Sequence, residues 1–449
     1  MMTCREKAGE WGISTRTVNQ LCKSGKIPGA VKNGKSWAIP DDAARPADGR
    51  VISGKYMKDS ASKGKKPLPV GISDYVRAQS EYYYVDKTLL IRDFLDRKAY
   101  VSLFTRPRRF GKTLNMDMLR VFFEISEEDT SRYFKDKKIW KCGTKYTEHQ
   151  GKYPVIFLSF KDVKFDSWEA TCAKIAELLQ EEFGRHSELK DSERLEKYER
   201  EYYEKVLEGK ANEVELSASL QKLSKMLSEH YGKAPVIIID EYDTPIQEAY
   251  IDGFWDEMTG FVRNLFNSTF KTNRYLERAV LTGITRISKE SIFSDLNNIK
   301  VDTVTNSCYS NDFGFTEEEV KTELDKYGYK NSFTEVKKWY DGFRIGEISD
   351  IYNPWSVTQY LDRGVLDDYW ANTSENSLVD KLIKEGSADV KTAMESLLKG
   401  ESVEILIDEE IVFNLVDKNE SGIFSLLLAA GYIRADNVGN GPGIRKNAE

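Results

Sequence analysis

The run Leu103-Phe-Thr-Arg-Pro-Arg-Arg-Phe-Gly-Lys-Thr113 constrains this chain more than any other feature. Residues 100–104 are apolar and predict a strand. The run ends in Gly111-Lys112-Thr113, and an amphipathic helix follows, with Leu114, Met118, Leu119, Phe122 and Phe123 on one stripe. Strand, loop and helix in that order form a phosphate-binding loop. The chemistry asks for close backbone approach at Gly111, a cation at Lys112 for the β- and γ-phosphates, and a hydroxyl at Thr113 for Mg²⁺. The usual pattern, G-x-x-x-x-G-K-[ST], begins with glycine; here Arg106 holds that place. The candidate nucleotide-binding set is Arg106, Arg108, Arg109, Phe110, Gly111, Lys112, Thr113 and Leu114.

A second motif completes the site. Val236-Ile-Ile-Ile-Asp240-Glu241 is a β-branched run ending in two carboxylates. Such a run reads as a buried parallel strand, and ligands in parallel sheets sit beyond the carboxyl ends of the strands. The pair has the Walker B arrangement: Asp240 for Mg²⁺ or its waters, Glu241 to polarise the attacking water. A strand ending in a helix N-cap accounts for one acid, but not for a Gly-Lys-Thr loop elsewhere in the same chain. The metal candidates are therefore Thr113 and Asp240.

At 449 residues the length suggests about three domains. Hydrophobic content of 40% with 12% aromatics supports sizeable cores and excludes a disordered chain. The longest apolar stretch, residues 423–433, is far below the ~20 residues of a membrane span. Residues after Met1 are polar, unlike a signal peptide. The five cysteines are scattered without metal-ligand spacing, which fits a cytoplasmic setting and no zinc site. Charge is divided unevenly. Residues 1–66 hold fourteen Lys/Arg and six Asp/Glu, a balance of +8, so the remainder carries −15 of a net −7. A basic head on an acidic body points to DNA contact in the head.

Residues 5–41 read as a small winged helix-turn-helix. A first helix ends at Trp11, residues 12–14 turn, and Ser14 caps a second helix. There Val18, Leu21 and Cys22 face inward, while Arg16, Thr17, Asn19, Gln20 and Lys23 face outward. Arg, Asn and Gln read base edges; Lys and Thr suit phosphates. After Gly25, residues 29–39 predict two strands around Asn33-Gly34, with Lys32 and Lys35 flanking the wing tip. The head spans 1–50 and a Gly- and Lys-containing linker 51–67.

Residues 68–309 alternate strand and helix, which predicts an α/β fold with a parallel sheet between helices. Strands are expected at 100–105, 154–160, 235–239 and 279–285. The insertion 166–233 is helical, and its charged part, 190–210, is expected to project into solvent as a possible protein-partner surface. Residues 310–449 predict a mostly helical, lid-like C-terminal domain.

Seven ordered motifs now carry a resemblance. They are Tyr84-Val-Asp-Lys-Thr88, the loop ending at Thr113, Ile239-Asp-Glu-Tyr-Asp-Thr-Pro245, Leu281-Thr-Gly-Ile-Thr-Arg286, Trp339-Tyr-Asp-Gly-Phe343, Tyr352-Asn-Pro-Trp-Ser356 and Tyr369-Trp-Ala-Asn-Thr-Ser374. Residues 68–435 resemble the AAA-ATPase-like family of bacterial and archaeal proteins. The family loop also looks like R-P-R-R-F-G-K-T, so Arg106 is a family trait. Pro107 has no N–H, so Arg108 or Arg109 is expected to supply charge in place of an amide. The resemblance implies ATP, and a sensor residue after the fourth strand, where Arg286 stands for a γ-phosphate contact or, alternatively, for a partner of Asp240 or Asp243. Many relatives continue into a PD-(D/E)xK nuclease-like module, whose core needs carboxylates and a lysine on adjacent strands; residues 437–449 hold three glycines and no such constellation, so no nuclease activity is expected. Residues 5–50 resemble excisionase-like and MerR-like winged DNA-binding domains, including the exit Arg45-Pro-Ala-Asp-Gly-Arg50.

The sequence thus reads as a Mg²⁺-dependent ATPase tethered to DNA, with Lys112, Asp240, Glu241 and Arg286 as catalytic candidates. The alternative is a DNA-binding regulator that binds ATP without hydrolysing it. A third reading is a scaffold whose insertion recruits a partner.

Overall fold

The computed structural model describes all residues except 1, 12–14, 24–26, 34–35, 42, 44–65, 272, 288–291, 294–295, 371–376, 408–419, 439–444 and 449. Two compact units are present: Met1–Lys58 with Gly364–Leu366, and Asp59–Arg363 with Asp367–Glu449.

In the larger unit five strands form one parallel sheet. They are β1 (Val101–Thr105), β2 (Val155–Ser159), β3 (Val236–Asp240), β4 (Arg278–Gly283) and β5 (Ile299–Asp302), in the spatial order β2-β3-β4-β1-β5. Every residue of β1 and β3 is buried. Successive side chains of a strand alternate between faces, and both faces are apolar here. Leu103, Leu158, Ile237, Ile239 and Leu281 enter one core; Phe104, Val155, Val236, Ile238 and Val280 enter another. This arrangement is why these strands read as unbroken apolar runs. Helix α1 (Lys112–Phe123) covers the second face with Met116, Met118, Leu119, Phe122 and Phe123. The first face is covered by α2 (Trp168–Arg185), α3 (Lys197–Leu207), α4 (Ser219–Tyr231) and α5 (Trp255–Phe266). The four expected strands are present within one or two residues of their expected bounds; β5 was not anticipated.

The charged stretch 190–210 does not project into solvent. Leu189, Leu195, Tyr202, Tyr203 and Val206 join the main core, and Tyr203 Oη donates to the carbonyls of Phe183 at 3.0 Å and His186 at 3.1 Å. The apolar residues of α3 gather on one stripe, and that stripe is laid on α2.

The C-terminal part is less helical than expected. Strands Phe315–Thr316, Phe343–Ile345 and Ile348–Tyr352 form one antiparallel sheet, and Val403–Leu406, Ala435–Val438 and Arg445–Ala448 another. They stand among helices α6 (Glu317–Tyr327), Phe333–Tyr340, Pro354–Arg363, Ser377–Glu385, Ala388–Leu398 and Glu420–Ala430.

The small unit contains helices Cys4–Trp11 and Thr15–Lys23 and strands Met2–Thr3, Val31–Asn33 and Ser36–Ile39, with the last strand central in an antiparallel sheet. Thr3 and Glu6 cap the first helix reciprocally: Glu6 N donates to Thr3 Oγ1 at 3.3 Å and Thr3 N to Glu6 Oε2 at 2.8 Å. Cys4, Ala8, Val18, Cys22, Ile27 and Ile39 form the core. The proposed cap Ser14, the helix stop at Gly25, the Gly34-Lys35 tip, the exit 45–50 and linker residues 51–65 lie outside the described residues.

Candidate functional site

The loop after β1 is shaped by two residues in the left-handed region, Arg109 at φ 66° and Gly111 at φ 79°. A Cβ on Gly111 would meet nothing within 4 Å, so the backbone angle, and not crowding, asks for glycine there. Helix α1 begins at the next residue. The Lys112 side chain is buried, and its Nζ donates to the carbonyls of Arg106 at 3.0 Å and Pro107 at 3.1 Å. The loop therefore curls around the ammonium. Burial lowers the Lys112 pKa, against the opposing fields of Glu241, Asp240 and Asp243.

Next to it, Thr113 Oγ1 donates to Asp240 Oδ2 at 2.7 Å, and Thr282 Oγ1 donates to Asp240 Oδ1 at 2.5 Å. Asp240 is fully buried at the end of β3, so the ends of β3 and β4 and the start of α1 converge on one carboxylate. Glu241 follows at φ 53°, a conformation costly for a non-glycine residue. Its side chain lines the cavity described below, and burial raises its pKa while Lys112 opposes the rise.

The Asp-Glu-Tyr-Asp and Leu-Thr-Gly-Ile-Thr motifs lock together. Asp243 Oδ2 accepts from Ile284 N at 2.9 Å, Thr285 N at 2.8 Å and Thr285 Oγ1 at 2.8 Å. Tyr242 Oη donates to Thr285 O at 2.8 Å. Any Cβ at Gly283 would lie 2.6 Å from Asp243 Oδ1, so glycine is demanded by close approach.

A cavity of ≈ 570 Å³ opens over these strand ends. Arg108, Arg109, Phe110, Gly111, Lys112, Thr113, Leu114 and Glu241 all line it. Three sequence candidates do not: Asp240, which lies buried behind Thr113, Arg106 and Arg286. Arg106 is fully buried and turned away: Nη2 donates to Asp302 Oδ1 at 2.5 Å, and Nη1 to the carbonyls of Thr105 at 2.9 Å and Asp302 at 3.0 Å. Its side chain is thus a strut to β5 and not a phosphate ligand, because a guanidinium buried in this wall satisfies itself on the nearest acid. Arg286 is half-buried and does not line the cavity in this conformation.

Several cavity residues escaped sequence reasoning. Lys161 and Lys164 follow β2; Leu68, Pro69, Ile72 and Tyr83 form an apolar wall. Lys87 lines the cavity and donates to Glu319 Oε2 at 2.6 Å and Asn311 O at 2.8 Å, which gives the Tyr-Val-Asp-Lys-Thr motif a physical purpose. Asp312 also lines it, with a carboxyl pushed up to about 7 by burial and the field of Asp93. The position of Lys161 and Lys164 beyond a strand's carboxyl end was the available signal. The C-terminal motifs return to the same loop. Arg108 O accepts from Asn353 Nδ2 and Trp370 Nε1, each at 3.3 Å. The Arg109 guanidinium lies 4.4 Å from the Trp355 ring centroid, and Phe110 packs with Phe343, Ile345 and Ile351.

In the small unit, Lys23 and Lys32 are exposed. Asn19 is half-buried, and its Nδ2 donates to Thr15 O at 3.0 Å. The side chains of Arg16, Thr17 and Gln20, and all of Lys35, lie outside the described residues. Among the described residues no cluster of three or more His, Cys, Asp or Glu could hold a metal, and no helix is long and apolar enough to cross a membrane.

A five-stranded parallel sheet flanked by helices, with a glycine-lysine-threonine loop at the end of its inner strand β1, has the architecture of a P-loop NTPase core. The comparison with family models agrees. Residues 69–293 match the AAA-ATPase-like family, described as "Predicted AAA-ATPase", and the chain belongs to that family. It is also similar to an "Uncharacterized protein in vnfD 5'region" of Azotobacter chroococcum mcd 1, at 26% identity over 378 residues. That alignment takes in 83% of this chain and 65% of the relative, so the chain spans about two thirds of the relative's length.

Proposed function

We propose that this protein is a Mg²⁺-dependent ATPase whose basic head contacts DNA. The observation that carries the catalytic half is the meeting of Lys112, Thr113 and Glu241 on the wall of one cavity, with the buried Asp240 behind them already hydrogen-bonded to Thr113 at 2.7 Å. Lys112 would exchange the two carbonyls it now holds for the β- and γ-phosphates, giving its buried charge a counter-charge. Arg108 and Arg109 serve the phosphates from the loop, in place of the amide that Pro107 lacks. Glu241, with its raised pKa, accepts the proton of the attacking water. Mg²⁺ fits the Thr113 hydroxyl and the Asp240 carboxylate, which are hard oxygen donors; two protein ligands suffice when phosphates and water complete the shell. Bound there, it supplies charge neutralisation for the transferred phosphoryl group. Arg286 as a γ-phosphate sensor requires a rearrangement that brings it to the cavity. ATP as the nucleotide follows from the family.

The DNA half rests on the +8 balance of residues 1–66 and on two helices followed by a hairpin. Arg16, Thr17, Asn19, Gln20 and Lys23 belong to the Thr15–Lys23 helix, the recognition element of this reading; Lys32 and Lys35 belong to the wing. The exposed side of residues 166–233, where Tyr198 and Val214 stand out, is available to a protein partner.

The test is phosphate release from the full chain with Mg-ATP, with and without duplex DNA. Metal-dependent release that stops with a chelator is expected. A second reading, a switch that binds ATP and keeps it, is favoured by the two loop carbonyls that already hold Lys112; bound ATP with no release decides for it.

A further inference from the structure

The end of β2 brings to the cavity a charge that the phosphate loop and β3 do not account for. Parallel register sets Ser159 beside Asp240, and Phe160 N donates to Asp240 O at 3.0 Å. The next residue, Lys161, therefore leaves the sheet just past the level of Glu241, one strand spacing of about 4.8 Å to the side. The turn is pinned: Val163 is fully buried and its N donates to Phe160 O at 3.0 Å. Lys161 and Lys164 flank that anchor, and both line the cavity that Lys112, Thr113 and Glu241 line.

A solvated lysine in a surface turn needs no explanation. These two are exposed, but they also lie on the wall of the cavity, which Glu241 and Glu248 line as well, so they offset those carboxylates toward a polyanion there. The other arginines approach from elsewhere: Arg108 and Arg109 line the cavity from the phosphate loop, with Arg109 stacked on Trp355, while Arg106 is bound to Asp302 and Arg286 does not line the cavity.

We infer that Lys161 is a catalytic residue of the ATPase, meeting the γ-phosphoryl group from the β2 side, opposite Lys112, with Lys164 drawing the polyanion toward it. The inference rests on the ATPase reading. In the transfer, a water oxygen forms the new bond to phosphorus as the bond to the β–γ bridging oxygen breaks; that oxygen leaves with the electron pair on ADP, and the water's proton passes to Glu241. Negative charge on the equatorial oxygens is what the Lys161 ammonium stabilises.

The full-length chain with Lys161→Ala, Lys161→Arg or Lys164→Ala tests this by two readouts: equilibrium affinity for Mg-ATP and for Mg-ADP, and the rate of phosphate release. Lys161→Ala should cut the preference for ATP over ADP by about tenfold or more and slow release by roughly 10²-fold, with ADP affinity unchanged. Lys161→Arg should keep most of the preference. Wild-type discrimination and turnover in Lys161→Ala overturn the assignment, as does a loss confined to Lys164→Ala. If the wild type holds ATP without turnover, the ATP/ADP ratio alone decides. If the wild type binds neither nucleotide, the ATPase reading itself fails, and the inference with it.

Discussion

Arg106 stands where the usual phosphate loop has glycine, and its side chain ties the start of the loop to the end of β5 through Asp302. Removing one partner of a buried ion pair leaves the other charge uncompensated, at a cost of about 3–5 kcal/mol. Arg106→Gly, which restores the common pattern, should therefore destabilise the chain by about that amount in denaturant titration, and not improve nucleotide binding. In the proposed ATPase, substitutions at Lys112 and Glu241 separate binding from turnover. Lys112→Ala should abolish Mg-ATP binding in a folded protein, whereas Glu241→Gln should retain ATP and lose phosphate release; equal rates in wild type and Glu241→Gln would remove Glu241 as the base. The raised Glu241 pKa places the acid limb of the wild-type rate profile above the ordinary carboxylate range. Asp312 gives a stability signature. Its carboxyl is pushed up to about 7 in the fold, against about 3.9 in an unfolded chain. The folded state then binds more protons between those values, so this group's contribution is full below the unfolded pKa and is lost as pH rises toward 7. Asp312→Asn should raise the melting temperature relative to wild type at pH 8, with the gain shrinking toward pH 5.

Among the elements, legibility follows the range of the forces. Strands β1, β3 and β4 were readable because burial on both faces makes each a continuous apolar run. Strand β5, Ile-Lys-Val-Asp at the sheet edge, carries only a short alternation and was missed. The charged composition of 190–210 suggested solvent, yet Tyr202, Tyr203 and Val206 are enough to seat α3. The core of the site was legible because Lys112 and Thr113 are neighbours in sequence, as are Asp240 and Glu241. The rest of the cavity was not: Lys87, Lys161, Asp312 and Trp355 come from four distant segments that only the fold assembles. The Tyr-Asn-Pro-Trp motif is the sharpest case. It was visible as a motif, but its contacts with Arg108 and Arg109 were not. Trp355→Ala removes the ring beneath Arg109, an interaction worth about 0.5–2 kcal/mol. A 3- to 10-fold weaker Mg-ATP affinity, with a small change in melting temperature, is expected from binding titrations. Unchanged affinity would mean that the stack does not position the loop for phosphate.

For the whole molecule, the proposed DNA contact follows the division of charge, +8 in residues 1–66 and −15 in the rest. An acidic body is repelled by DNA phosphates, so under that proposal the attraction is concentrated in the head and is strongly salt-dependent. Fluorescence anisotropy of the full chain on labelled duplex DNA should show affinity falling by orders of magnitude between low and physiological salt. Lys32→Ala, at an exposed strand position, should weaken binding to all sequences alike and lower the salt slope by about one. Substitutions at Arg16 or Gln20 should instead alter preference among sequences, because arginine and glutamine read base edges. Asn19 already donates to Thr15 O, so Asn19→Ala should cost less preference than either, unless binding releases that bond. No measurable binding to genomic fragments at low salt would make the head a protein-interaction module. The salt slope discriminates further: a slope insensitive to Lys32 and Lys23 together would place the contacting cations elsewhere on the chain.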